Sequence, residues 1–173
     1  YISTHQYPFY PGTGAASEIG NGAGMGFTFN IPLEAGAGDA DLGLIFRRLV
    51  LPVTLEFQPQ LIIVSAGFDA HVDDPLGGMR LTVEGYGTLT RLIYRLALEH
   101  CDGRFVVVTE GGYHLPALEA CLEEMLVVTA EQVLDLEEIM PVSGSTDVAE
   151  AALAPILLAQ TPYWPSISTS AQL

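Results

Sequence analysis

Two short apolar runs, Leu61 to Val64 and Phe105 to Val108, constrain this chain most, because each stops abruptly at a polar loop. The first feeds Ser65-Ala66-Gly67-Phe68-Asp69-Ala70-His71-Val72-Asp73-Asp74-Pro75-Leu76-Gly77-Gly78, and the second feeds Thr109-Glu110-Gly111-Gly112-Tyr113. Brief β-branched runs bounded by turn residues read as buried strands. Between them, from Thr82, Leu89, Leu92, Ile93, Leu96 and Ala97 recur at helical spacing, leaving Arg91, Arg95 and Glu99 for solvent, until Gly103 breaks the pattern. Strand, helix, strand predicts an α/β fold. In open sheets of that class ligands sit beyond the carboxyl ends of the strands, where both loops lie.

The flanking sequence continues the alternation. Tyr1-Ile2-Ser3 reads as the end of a strand, and the chain is expected to begin inside a domain. His5 to Gly14 mixes aromatics with proline and glycine, which predicts an ordered loop carrying exposed rings, and residues 12–26 are glycine-rich and irregular. Phe27 to Ile31 alternates as a strand that stops at Pro32. Asp39 or Asp41 caps a helix through Leu42, Ile45, Phe46 and Leu49, with Pro52 kinking or restarting it toward Phe57 and Pro59 ending it. Pro116 fits the first turn of another helix bearing Leu118, Cys121, Leu122, Met125 and Leu126. An acidic helix over Ala130–Ile139, a loop over Pro141–Thr146 and a last apolar helix over 147–160 complete the reading.

A chain of 173 residues, 49% hydrophobic, suffices for one core. No run approaches the roughly eighteen apolar residues of a membrane span, and no charged start with an apolar core suggests a signal peptide. The expectation is a soluble, cytoplasmic protein. Twenty-one acidic residues against six arginines, with no lysine, give a formal charge of -15. That field repels nucleic acid and attracts cations such as basic peptides and polyamines. Cys101 and Cys121 lack C-x-x-C spacing and read as small buried hydrophobes in a reducing compartment.

The pair S-A-G-F-D-A-H-x-D-D-P-L-G-G and E-G-G-Y resembles the carboxyl-terminal half of the histone deacetylase family, nearest its class II, bacterial deacetylase and acetylpolyamine amidohydrolase branches. The resemblance covers most of residues 1–128 and, more loosely, Tyr163-Trp164-Pro165. It implies a partial domain over 1–166 with a tail over 167–173, in a three-layer α/β/α fold around a mostly parallel sheet. It also implies zinc-dependent hydrolysis of an N-acetyl or N-acyl amide on a lysine side chain or similar amine. By that resemblance Asp69 is a zinc ligand, although an aspartate at a strand end, taken alone, more often caps the next turn. Tyr113 is then the phenol that stabilises the oxyanion, and Gly111 and Gly112 let the backbone approach the substrate pocket. Phe9 and Tyr10 become the aromatic wall of an acyl-lysine tunnel, and Leu76 sits at its mouth, where an acidic residue would instead suit a polyamine. Ser3 and Thr4 match a segment that gives oxygen ligands to a structural potassium ion.

Other residues keep plainer roles. Asp74, before Pro75, is expected to organise its loop through backbone hydrogen bonds. His71, despite its D-x-H spacing from Asp69, reads as an ordinary hydrogen-bonded loop histidine, and His5 as a structural one. The family's D-x-D-x-H-H-G-N-G-T segment, with two zinc ligands and the tandem histidines, has no equivalent here. The chain is therefore expected to be a piece of a deacetylase-like enzyme, inactive alone, whose partner is the amino-terminal half of the domain. A non-catalytic half-domain that binds a partner or acylated peptide is the competing reading. An arginase-like manganese hydrolase is disfavoured, because Asp69 and Asp73 stand in deacetylase context.

Overall fold

In the computed structural model, residues 1–131 and 143–169 are described. The elements in chain order are β1 (Ile2–Gln6), β2 (Phe29–Leu33), α1 (Asp39–Ile45), α2 (Leu51–Phe57), β3 (Ile62–Ala66), α3 (Val83–His100), β4 (Phe105–Thr109), α4 (Leu115–Glu131), α5 (Asp147–Gln160) and α6 (Ser166–Thr169). Helices and parallel strands alternate through most of the chain, as the two apolar runs predict.

The strands form two parallel pairs. Ile2 pairs with Phe29 through to Gln6 with Leu33, and Ile62 with Phe105 through to Ala66 with Thr109. Among the described residues no ladder joins β1 to β3. A cleft runs between them, with Thr4, His5 and Gln6 on one wall and Val64, Ser65 and Ala66 on the other. The edges of β1 and β3 that face this cleft are the ones not used by β2 and β4.

The core gathers around β2. Phe29, Ile31 and Leu33 are fully buried with Leu42, Ile45 and Leu49 from the following helical segment and Ala149 and Ile156 from α5. Buried Asp41 ties these helices together, its carboxylate accepting from Gly38 N–H at 3.0 Å and from Ala149 N–H at 2.8 Å. The Gln160 amide donates to Thr28 O and the Trp164 indole to Gly26 O, both at 2.8 Å, so the end of α5 is pinned to the residues leading into β2. On β3 and β4, Val64 and Val107 pack toward the core while Ile63, Val106 and Val108 are exposed. The two runs, expected to be buried strands, therefore leave one face open, whereas an apolar parallel sheet normally has both faces covered.

Several local expectations need correction. The strand expected to stop at Pro32 runs on through it to Leu33, since a proline without an N–H is tolerated on an edge strand. Around Pro52, a π-type turn at Phe46–Val50 separates α1 from α2, which takes up again at Leu51 with Pro52 in its first turn. A proline without an N–H is tolerated in a first helical turn. Arg91 does not simply face solvent but bridges α3 to α4 through Glu124 at 2.9 Å, and Leu126, expected on the packed face, is exposed. The acidic helix expected over Ala130–Ile139 lies outside the described residues beyond Glu131, as do Pro141 and Val142 of the loop after it.

Other local signals agree with the structure. The Thr82 hydroxyl accepts from Gly85 N–H at 3.1 Å and caps α3, whose end is turned by Asp102 and Gly103 at φ 50° and 73°. Both cysteines are free and buried, and burial pushes the Cys121 thiol up to about 11.

Candidate active site

Asp69 and Tyr113 come together because β3 and β4 are parallel neighbours and both loops leave from the same end. The ladder extends past the strands, with Glu110 N–H donating to Ala66 O at 2.9 Å and Phe68 N–H to Gly111 O at 2.7 Å. Two loops distant in sequence therefore start from one rigid base. Phe68 is fully buried against Tyr86 of α3, with ring centroids 5.2 Å apart, and the Tyr86 hydroxyl donates to Gly67 O at 3.0 Å. Burial, first among its causes, drives the Tyr86 phenol far above its ordinary pKa, so it remains a donor.

The cleft beyond these strand ends has a volume of about 590 Å³, and its lining includes Phe9, Tyr10, Asp69, Leu76, Gly77 and Tyr113. Phe9, Tyr10, Asp69, Leu76 and Tyr113, the residues to which the resemblance gives site roles, thus line one cavity. Tyr10 is 91% exposed and Tyr113 57% exposed, while Phe9 is less so. Gly111 and Gly112 sit behind the lining. A Cβ on Gly111 would strike the Asp69 carboxylate, and Gly112 holds φ 147°, a conformation side-chain-bearing residues rarely adopt. Thr4 borders this cavity, whereas Ser3 lines its continuation toward the other end of the strands and its hydroxyl lies 3.0 Å from His5 Nδ1. His5 Nε2 meets Gly14 O at 3.0 Å, a bridge that pins the aromatic loop to β1.

The two carboxylates of the Asp69 loop are pushed in opposite directions. Desolvation by burial raises the Asp69 pKa, opposed by its own backbone and assisted by the nearby charge of Asp74. Burial acts on Asp74 as well, but N–H groups from Tyr113, Leu76, Gly77 and His114 outweigh it and hold that carboxyl below its usual range. Asp74 Oδ1 accepts from Leu76 N–H at 2.9 Å and Gly77 N–H at 3.0 Å, the loop-organising role read from the Asp-Pro signal. Asp74 is a satisfied structural anion, while Asp69 carries its charge at a cost in desolvation. Carboxylates perturbed in that way collect at functional sites.

His71 is buried, and its Nδ1 accepts from Asp73 N–H at 3.1 Å, an ordinary loop histidine. Among the described residues no three His, Cys, Asp or Glu side chains converge as a metal cage. Asp69 supplies one hard oxygen donor at the cleft wall, which fits one position of a zinc set of three protein ligands with an open fourth.

Gln6 carried no local sequence signal, yet its Oε1 accepts from Gly78 N–H at 2.8 Å across 72 positions. Of the two aspartates read as helix caps, Asp41 takes that role and Asp39 instead accepts from Thr82 N–H at 2.9 Å. Gly77 is also required for close packing, since a Cβ there would overlap the backbone oxygen of Asp69. Gly77→Ala is expected to destabilise the fold by about 1–3 kcal/mol, because backbone rather than a mobile side chain must yield. Urea unfolding monitored by circular dichroism measures it; an unchanged midpoint would refute the tight contact.

The fold and cleft define a class: a parallel α/β sheet with a carboxylate and a phenol at adjacent strand ends. Comparison with known proteins identifies that class. The histone deacetylase domain family matches residues 1–129, and the chain belongs to that family. A probable deacetylase of Archaeoglobus fulgidus is 49% identical over 65% of this chain and 32% of its own length. Histone deacetylase 15 of Arabidopsis thaliana is 37% identical over 98% of this chain and 31% of its own, and the human polyamine deacetylase HDAC10 is 39% identical over 96% and 25%. The crystal structure of the HDA15 HD domain superposes with a TM-score of 0.84 at 35% identity, over 98% of this chain and 45% of that one. The fold is accordingly part of the arginase/deacetylase-type α/β domain. The chain spans about a third or less of the length of these curated relatives.

Proposed function

We propose that this chain is the carboxyl-terminal part of a zinc-dependent amidohydrolase domain that releases acetate, or a similar acyl group, from the side-chain nitrogen of an acylated lysine or a related amine. The observation that carries this reading is the meeting of Asp69 and Tyr113 at the carboxyl ends of β3 and β4, in a cleft shared with Phe9, Tyr10 and Leu76. Zinc, when bound, supplies Lewis acidity toward the amide carbonyl and lowers the pKa of water. Asp69 would hold one coordination position. Phe9, Tyr10 and Leu76 bury the methylenes of the amine stem and keep bulk water away from the amide. The Tyr113 hydroxyl donates to the carbonyl oxygen as negative charge develops there.

The remaining two ligands and the acid–base histidines belong, on this reading, to the D-x-D-x-H-H segment of the same family domain. The cleft between β1 and β3 supports its place: two unused strand edges face each other, and one further parallel strand would satisfy both. Its carboxyl end would then emerge beside Asp69. The related HDAC10 is named a polyamine deacetylase, whereas Leu76 favours apolar contact, so acyl-lysine is the preferred substrate here. Potassium held near Ser3 and Thr4, and a cytoplasmic location, complete the proposal.

The test uses the protein that carries this segment with the rest of the family domain. Metal analysis is expected to find zinc, and an N-acetyl-lysine peptide is expected to release acetate. The 173-residue chain alone, with one carboxylate donor, should retain little metal. A complete domain that is zinc-free and inert toward acetylated lysine and acetylated polyamine would end the proposal, and binding of the acylated peptide without turnover would favour a non-catalytic module.

A further inference from the structure

Tyr113 presents a difficulty for any role that demands a fixed phenol: its side chain is 57% exposed, and it precedes α4 rather than belonging to it. An exposed side chain gains little order from packing, so its position must come from the backbone that carries it. The Tyr113 N–H donates to the Oδ2 oxygen of Asp74 at 2.8 Å. The other oxygen of that carboxylate is committed to Leu76 and Gly77, within the loop that begins at Asp69. Asp74 is itself buried, and its own N–H donates to His71 O at 2.9 Å, so the anchor is fixed at both ends.

We propose that Asp74 is a positioning residue for the reaction: its carboxylate bolts the Tyr113 backbone to the Asp69 loop and so sets the phenol relative to the Asp69 carboxylate. Only a short side chain with two acceptor oxygens can do this. One oxygen closes the loop on itself, and the other reaches the next loop, 39 positions away. The inference rests on the amidohydrolase reading above, since it assigns Asp74 to the geometry of that site.

The residue chemistry provides a selective test. In Asp74→Asn the remaining oxygen can still accept from Leu76 and Gly77, but the amide nitrogen turned toward Tyr113 is a donor facing a donor. The turn survives and the bolt is lost. In the zinc-loaded complete domain, Asp74→Asn is expected to lower kcat by about a hundredfold, the scale of a misplacement near 1 Å. KM for an N-acetyl-lysine peptide should change less than about twofold, because only the transition-state contact is weakened. Zinc content should be unchanged.

Two further readouts separate positioning from a general structural role. In a Tyr113→Phe background, which lacks the hydroxyl, Asp74→Asn should cause almost no additional loss of kcat, because both changes remove the same interaction. Amide hydrogen exchange at Tyr113 should accelerate in Asp74→Asn while the amides of β3 and β4 keep their protection. Losses that multiply in the double variant, or Tyr113 exchange that does not change, would overturn the proposal. If the unmutated domain shows no turnover of any acetylated amine, the amidohydrolase reading falls, and the exchange measurement alone decides whether Asp74 holds Tyr113.

Discussion

Asp69→Ala in the complete domain is expected to lose zinc and turnover together while leaving the fold intact. Burial raises the pKa of this carboxyl, which means that its charge is held at a cost rather than for stability. Removing it relieves that cost, so the thermal midpoint of the metal-free protein should hold or rise slightly. Metal binding should respond in the opposite sense. Loss of an outer-shell partner already costs about 10- to 100-fold in affinity, and loss of one of three direct ligands should exceed that. Asp69→Asn keeps the shape, removes the charge and should reproduce the effect. Equilibrium dialysis against zinc, alongside calorimetry, reads both halves; a variant that binds zinc as tightly as the parent would show that Asp69 only caps its turn.

Tyr113→Phe separates chemistry from metal binding. The ring stays and one hydroxyl leaves, so zinc content and KM should be little altered, whereas kcat should fall by about 10²–10³, the usual loss for one oxyanion donor. Because the side chain is mostly exposed, stability should shift by no more than about 0.5 kcal/mol. Steady-state kinetics with parallel metal analysis checks the split. Undiminished kcat would remove Tyr113 from the mechanism and leave its placement beside Asp69 without a function.

Periodicity and punctuation made the secondary structure legible where the signal is local. The β-branched runs at Leu61 and Phe105, the Thr82 cap and the Gly103 stop all act within a few residues of themselves, and the structure follows them. The local rule fails where a neighbour overrides it. Pro32 looked like a strand end, but it lies on an edge where its missing donor does no harm. Leu126 has the spacing of a packed residue and faces solvent.

The chain's own residue order settled which segments are strands, which loops carry carboxylate and phenol, and that both loops leave from strand ends, because φ/ψ preference and side-chain alternation are properties of a few consecutive residues. Tertiary structure alone decided that Gln6 holds Gly78 and that one buried carboxylate at Asp74 joins two loops. Such contacts depend on how strands stack side by side. A single hydrogen bond between distant positions leaves no periodic trace in the sequence that makes it.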